Sequence, residues 1–152
     1  GNAALEELMV CLHVLYGYDK QYDLKKLPEL GALVSRISGT PIAANKPILG
    51  EKNFTRESGI GVDLVVRQPL AMFGTHPALT GRAGDVVLGK KSGTASVTYH
   101  LEQIGITDAG DDEVKEILAQ VKALGIQKKG LVTPEEFRRI VEAVGVLKTA
   151  AQ

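Results

Sequence analysis

The sequence predicts a mainly helical α/β protein, and three of its features lead to that prediction. Apolar residues recur at three- and four-residue intervals in five segments, which is the spacing of one helical face. Two short segments, 62–66 and 85–88, are rich in β-branched residues and are predicted as strands. The chain has 152 residues, of which 44% are hydrophobic, so it can fold as a soluble domain without a metal or disulfide.

Two helices are predicted near the N-terminus. The first spans residues 3–16, with Asn2 as its cap and Gly17 at its end. The second follows Asp23 as a cap and ends at Gly39. Their apolar faces consist of Leu5, Leu8, Met9, Leu12 and Leu15 in the first helix, and Leu24, Leu27, Leu30, Leu33, Val34 and Ile37 in the second.

The centre of the chain, residues 40–61, is predicted to be mainly loop, because proline, glycine and asparagine interrupt it and no period persists. A loop of this length inside a compact domain is usually functional or disordered. Its part from residue 46 to 61 is the most site-like segment of the chain, since Lys52, Arg56 and Glu57 alternate with glycines that permit close approach to a ligand. An ordinary loop without function is the alternative interpretation.

Three helices are predicted in the C-terminal half. The first spans residues 95–104, and the second begins at an acidic turn, residues 111–113, followed by an apolar stripe. The third begins with a capping box formed by Thr133 and Glu136, with Pro134 at its first position. Only the linker QKKG separates the last two helices, which predicts an antiparallel hairpin.

Composition excludes several functional classes. The 18 basic and 18 acidic side chains balance, which argues against nucleic-acid binding, and no apolar run approaches the roughly 18 residues of a membrane span. Acidic residues stand near the N-terminus where a signal peptide needs positive charge. The single cysteine, Cys11, cannot form an internal disulfide, which is typical of a reducing compartment and predicts a cytoplasmic protein.

Motifs for nucleotide, metal or covalent catalysis are incomplete. The segment GDVVLGKKSG resembles a P-loop, but Lys91 occupies the position that requires a hydroxyl, so a strand, a turn and a helix start are predicted instead. The three histidines, His13, His76 and His100, lack the spacing of zinc ligands. From the residues alone, therefore, no reaction follows.

An ordered series of motifs does resemble one enzyme family. The stretches GNAALEEL, LPELGALVSRISGTPIAANKPILGEKNFTRESGI and PALTGRAGDVVLGKKSGTASV are similar, in that order, to the C-terminal part of the family of 2-isopropylmalate, homocitrate and citramalate synthases, to which hydroxymethylglutaryl-CoA lyase is related. The resemblance implies three divisions: the end of a (β/α)8 barrel with its closing helix at residues 1–40, a small α+β accessory subdomain at 41–106, and a C-terminal helical subdomain at 107–152.

The same resemblance implies a Claisen-type condensation of an acyl-CoA with a 2-oxo acid at a divalent metal ion, which would be Zn, Mg or Mn. Asn2 matches the asparagine of the family's GN motif and is the implied metal ligand of this chain, with the other ligands supplied by the missing barrel. A simple helix cap is the alternative role for Asn2.

Within the loop that matches the family, Arg56 and Glu57 are the implied catalytic residues, and Ser58 and Lys52 the implied substrate-binding residues. Three departures bear on the chemistry: Arg56 and Gly61 stand where the family has histidines, and Phe73, which has no hydroxyl to donate, stands where it commonly has a tyrosine. Arginine stays protonated, so it can bind a carboxylate or phosphate but cannot act as a base. A related carbon–carbon lyase or aldolase is therefore an alternative to the synthase.

A complete barrel takes roughly 250 residues, so this chain can contain only its end. We predict that the chain is a C-terminal fragment or subunit of such an enzyme, inactive alone, and associated as a homodimer or with a barrel-bearing partner chain. A separate non-catalytic subunit that pairs through the apolar face of the first helix, and an unrelated helical binding module, are the other hypotheses.

Overall fold

The computed structural model of the chain describes residues 1–18 and 22–146. It is mainly helical with one two-stranded sheet, which confirms the predicted α/β class. Three short 3-10 helices lie at Leu24–Lys26, Pro69–Ala71 and Pro77–Thr80. The longer elements are α1 (Leu5–Tyr16), α2 (Leu27–Ser38), β1 (Thr55–Arg56), α3 (Val62–Arg67), β2 (Asp85–Val86), α4 (Thr94–Gln103), α5 (Asp111–Lys128) and α6 (Pro134–Val144).

The chain divides into two compact units. The first contains residues 1–55 and 69–84, and the second contains residues 56–68 together with those from 85 onward. The resemblance implies a different division into a barrel end, an accessory subdomain and a helical subdomain, and that division stays a prediction.

The first two helices form largely as predicted, but their starts differ. Asn2 does not cap α1, because the helix begins at Leu5, with Ala4 at the capping position and no side-chain cap bond. Asp23 does act as a cap, but for the 3-10 helix that precedes α2, where its carboxylate accepts the Lys25 N–H at 3.0 Å. A proline fits the first turn of a helix, where its missing N–H is not needed, and α2 carries its proline there.

The core of the first unit is small. Val10, Leu24 and Leu27 are its buried members. Most of the apolar positions that predicted the two helices remain exposed, including Leu15 at 70% and Ile37 at 76%. The apolar face of α1 and α2 is therefore left largely uncovered by the described part of the chain.

The second unit has the larger core, to which α4, α5 and α6 contribute. Since α5 and α6 pack on one another, the predicted pairing of the last two helices is present, while their antiparallel hairpin arrangement stays a prediction. The capping box at Thr133 and Glu136 is confirmed. The buried residues of this core are Leu88, Val97, Leu101, Val114, Ile117, Val121, Val132, Phe137, Ile140 and Val141.

One strand prediction is wrong. Residues 62–66 belong to the helix α3, although their β-branched composition favours a strand. Gly61 precedes the helix with a φ of 80°, and its carbonyl oxygen accepts the Val65 N–H at 3.0 Å. Val62 and Val65, three residues apart, are both buried, so helical spacing places both in the interior, which decides the conformation locally.

The other predicted strand is confirmed at Asp85–Val86 and pairs with β1, which lies in the segment predicted to be loop. None of the helices in the described ranges combines the length and the apolar character that crossing a membrane requires.

Candidate functional site

The predicted residues Arg56, Glu57 and Ser58 lie together in the second unit, in a loop that hydrogen bonds hold closed. The Arg56 carbonyl oxygen accepts the Val87 N–H at 2.9 Å, which anchors the start of the loop next to the end of β2. Its Nε donates to the Ile60 carbonyl oxygen at 3.1 Å, and the Ile60 N–H donates to Ser58 Oγ at 3.3 Å. The loop is thus fixed by its own side chains.

The segment 89–93, GKKSG, forms the turn between β2 and α4, and we call it the GKKSG turn. It confirms the strand, turn and helix start predicted in place of a P-loop. Ser92 is 2% exposed, and its Oγ accepts the Gly89 N–H at 2.9 Å. The Glu57 carboxylate reaches this turn, because its Oε1 accepts the Lys91 N–H at 3.0 Å. Glu57 therefore joins the loop to the turn.

Glycines allow these segments to approach closely. A Cβ atom on Gly59 would lie 2.6 Å from the Cα atom of Gly93, and one on Gly125 would lie 2.9 Å from the Lys90 nitrogen. Both separations are too short for a real Cβ atom, so the backbone would have to move to accommodate a side chain. The loop, the GKKSG turn and the end of α5 are therefore packed against one another with no room for side chains between them.

A cavity of about 480 Å³ opens beside Glu57. Lys90 and Lys129 line it as well, so two basic residues and one acidic residue contribute to the cavity wall. Ile126 and Leu131 give it an apolar side. Lys129 has a left-handed backbone with φ 52°, a conformation that residues with a Cβ atom adopt at a cost. We call this space the Glu57 cavity.

Lys52 and Asn2 belong to the first unit. The Lys52 N–H donates to the Ala44 carbonyl oxygen at 2.9 Å, and its side chain is exposed. Arg82 supports the turn that precedes Lys52, since its guanidinium donates to the carbonyl oxygens of Leu49 at 2.7 Å and Gly50 at 2.6 Å. Arg82 was not among the predicted site residues, because no local pattern in the sequence indicates its long-range bonds.

A glycine is required at position 50 in that turn for a structural reason. A Cβ atom there would lie 2.5 Å from the Ala44 carbonyl oxygen. The group that closely approaches Gly50 is therefore backbone of the same chain and not the predicted ligand. The same correction applies to Gly59, whose close neighbour is Gly93.

His100 is a second residue whose role the sequence did not indicate. Its Nε2 lies 2.7 Å from the Val86 carbonyl oxygen, and its ring contacts the rings of Tyr99 and Phe137. Burial lowers the pKa of His100 below its ordinary value, against smaller opposing effects of the Val86 bond and of Asp85. The ring is thus favoured in its neutral form.

The chain's own residues do not fit a complete divalent metal site. Asn2 is exposed, and the described ranges contain no group of three or more histidine, cysteine, aspartate or glutamate side chains that could hold an ion. One amide oxygen is too few ligands for any of the divalent ions considered.

Comparison with known sequences places this arrangement in a family. The profile of the family described as "Homocitrate synthase post-HMGL domain-like" matches residues 48–129, which include the loop, the GKKSG turn and all of α5. The chain belongs to this family. The match confirms the resemblance to homocitrate, citramalate and isopropylmalate synthases drawn from the sequence motifs.

Individual relatives extend the match to most of the chain. A homocitrate synthase AksA of Methanocaldococcus jannaschii is 43% identical over 95% of this chain, and a probable 2-isopropylmalate synthase of Ignicoccus hospitalis is 42% identical over 95%. A putative (R)-citramalate synthase CimA of Methanosphaerula palustris is 41% identical over 95%. The chain spans only 35%, 36% and 28% of these relatives, so it corresponds to between about a quarter and about a third of each.

Proposed function

We propose that this chain is the C-terminal part, as a fragment or a subunit, of a synthase that condenses an acyl-CoA with a 2-oxo acid. The observation that carries the proposal is the similarity along 95% of the chain to relatives named as homocitrate, isopropylmalate and citramalate synthases. Because the chain spans between about a quarter and about a third of each relative, it requires a barrel from the same or another chain and is inactive alone.

The exposed face of the first unit supports this dependence. Leu5 and Leu15 on α1, and Ile37 on α2, are between 54% and 76% exposed. A groove of about 510 Å³ with mainly apolar lining lies between the two helices and the following loop, at Leu30, Val34 and Leu49 among others. Exposed apolar surface on this scale usually marks a contact with another part of a protein. In our proposal a barrel, on the same chain or a partner chain, covers it.

Within this proposal, Arg56 binds a carboxylate or phosphate group of a substrate. Its guanidinium stays protonated, so it does not replace the basic function of the histidine that the resemblance implies at its position. One N–H is already used on the Ile60 carbonyl oxygen, which orients the group and leaves the other nitrogens for an anion. Glu57 is the second proposed catalytic residue, with Ser58 and Lys52 as proposed contacts to substrate.

The metal requires residues from outside this chain. The family resemblance implies a divalent ion whose role in condensation is to polarise the 2-oxo acid. Asn2 is retained as a proposed contributor only when a barrel supplies the remaining ligands, because the described residues do not form such a site by themselves. The chain's own proposed tasks are binding and orientation.

Arg56 also favours a second candidate of the same superfamily, a carbon–carbon lyase or aldolase. A cation in place of an ionisable histidine can neutralise a carboxylate but cannot exchange a proton at neutral pH. Cleavage of a hydroxyacyl-CoA with a different base would remain compatible with this substitution.

A chimera would test both candidates. The matched third of the Methanocaldococcus jannaschii homocitrate synthase would be replaced by this chain, with the intact relative as positive control. Release of free CoA from acetyl-CoA with one member of a panel of 2-oxo acids is the expected result. No release across the panel, from a chimera that is folded and carries metal like its parent, would contradict the synthase. Formation of a carbonyl product from a 3-hydroxyacyl-CoA would then support the lyase.

Arg56→Met and Arg67→Met form a matched pair for the same assay. Arg67 is exposed and pairs with Asp63 four residues away, so its replacement should leave turnover unchanged. Arg56→Met should raise KM for one substrate by roughly tenfold or more, the effect of one lost charged hydrogen bond. Equal kinetics for both variants would remove Arg56 from the proposed site.

A further inference from the structure

We propose that the Glu57 cavity is a binding site for a small aliphatic carboxylate. Lys129 and Lys90 would hold the carboxylate group, and Ile126 and Leu131 would contact the aliphatic part. Binding at this site belongs to the second unit alone. It does not rest on the proposed condensation, since it requires neither a barrel nor a metal.

The balance of charge in the cavity favours an anion. Two lysines line it against one glutamate, and Glu57 Oε1 already accepts the Lys91 N–H. Among the described residues, neither Lys90 nor Lys129 is paired with a carboxylate, whereas the adjacent Lys128 pairs with Glu136 at 2.6 Å. A ligand carboxylate would therefore supply a counter-charge for two lysines that have no carboxylate partner among the described residues.

The backbone at Lys129 is an independent observation in favour of a site. The residue ends α5 in the left-handed region, with φ 52°, where glycine is the usual occupant. Gly130 follows directly, so the sequence carries a glycine one position after the place where the backbone requires it. Strained residues of this kind occur preferentially at binding and catalytic sites. Here the residue with this backbone conformation is one of those that line the cavity.

The apolar side of the cavity specifies the rest of the ligand. Ile126 is 63% exposed and Leu131 is 37% exposed, although both line a concave surface. The volume of about 480 Å³ lies within the range of small-molecule sites, about 300–1,000 Å³. A short branched chain would remove both side chains from water, which a bare anion such as phosphate cannot do.

Titration of the 152-residue chain, followed by backbone amide NMR, tests the proposal with defined probes. We expect 3-methylbutanoate to shift the amide resonances of Lys90, Gly125 and Gly130. Acetate should bind about tenfold more weakly, since it lacks most of the apolar contact. The neutral amide 3-methylbutanamide should not bind. Equal binding of the amide, or equally strong binding of inorganic phosphate, would overturn the assignment of an aliphatic carboxylate.

Variants locate the site. Lys129→Gly removes the cation and relieves the backbone, so it should fold at least as well as the original chain while losing affinity by about tenfold. Lys90→Gln should also weaken binding, whereas Lys122→Gln, on the same helix α5 but outside the cavity lining, should not. Unchanged affinity in Lys129→Gly, or an equal loss in Lys122→Gln, would overturn the proposal.

Discussion

Gly59 and Gly93 lie so close together that neither position has room for a side chain. A Cβ atom on Gly59 would be 2.6 Å from the Cα atom of Gly93, and one on Gly93 would be 3.0 Å from the Cα atom of Gly59. This contact, together with the bond from the Lys91 N–H to Glu57 Oε1, joins the loop that carries Arg56 to the GKKSG turn. The two segments are therefore packed together within the second unit.

Replacement of Gly59 by alanine should destabilise the chain. The added methyl group would meet backbone atoms of Gly93, which cannot move without shifting the start of α4. We expect a loss of about 2 kcal/mol in the free energy of unfolding, the typical cost of overpacking. Urea denaturation measures it, with Gly74→Ala as control because a Cβ there meets nothing within 4 Å. Equal midpoints for the two variants would contradict the contact.

Lys129→Gly should stabilise the chain, in contrast to most substitutions. The left-handed conformation at Lys129 costs a residue with a Cβ atom about 1 kcal/mol, and glycine adopts it freely. The matched control is Lys128→Gly, one residue earlier and inside α5, which should cost about 1 kcal/mol from helix propensity alone and also lose the pair with Glu136. Thermal denaturation should give shifts of opposite sign. A lower Tm for Lys129→Gly would show that its backbone is not strained.

Arg82→Met should destabilise the first unit. The substitution removes two donors to the carbonyl oxygens of Leu49 and Gly50 and leaves both acceptors without this partner. A loss of about 2 kcal/mol is expected from such charged hydrogen bonds in a partly buried setting. Arg67→Met, which breaks an exposed pair with Asp63, should cost no more than about 0.5 kcal/mol. Similar losses for the two variants, measured in urea, would rule out a special role for Arg82.

Stability should fall at mildly acidic pH because of His100. Its pKa is lowered by burial from an ordinary value of 6.5, so between its folded and unfolded pKa values the unfolded chain binds more protons. The stabilising contribution is therefore complete above the unfolded pKa and decreases as the pH falls through 6.5 towards the folded value. Tm values measured between about pH 7.5 and about pH 5 should fall more steeply for the original chain than for His100→Gln. Parallel curves would contradict this assignment.

The sequence predicted the helices well, because their signals are local. The capping box at Thr133 and Glu136 and the acidic start of α5 act within a few residues of one another. The strand prediction for residues 62–66 was wrong for the opposite reason. Their β-branched side chains favour a strand, but burial of Val62 and Val65 and the left-handed conformation of Gly61 favour a helix. Asn2 was assigned as a cap from its position, and the helix begins two residues too late for it to cap the first turn.

The candidate site was only partly predictable. Arg56, Glu57 and Ser58 are consecutive, so a family motif could mark all three together, and their roles remain a proposal. Arg82 binds carbonyl oxygens more than 30 residues earlier in the chain, at separations of 32 and 33 positions, which no local pattern encodes. The lysines of the Glu57 cavity likewise come from two segments that tertiary contacts, among them the packing of Gly125 on the GKKSG turn, bring together.

The mainly helical class and the ordered motifs by which the chain resembles its family follow from the amino-acid sequence, because helical spacing, caps and motifs are all local in the chain. Tertiary structure alone decided that Glu57 bonds the Lys91 amide, that the glycines serve backbone packing, and that Lys129 stands on a cavity wall. These features depend on contacts between residues far apart in sequence, where burial and close approach outweigh local preference.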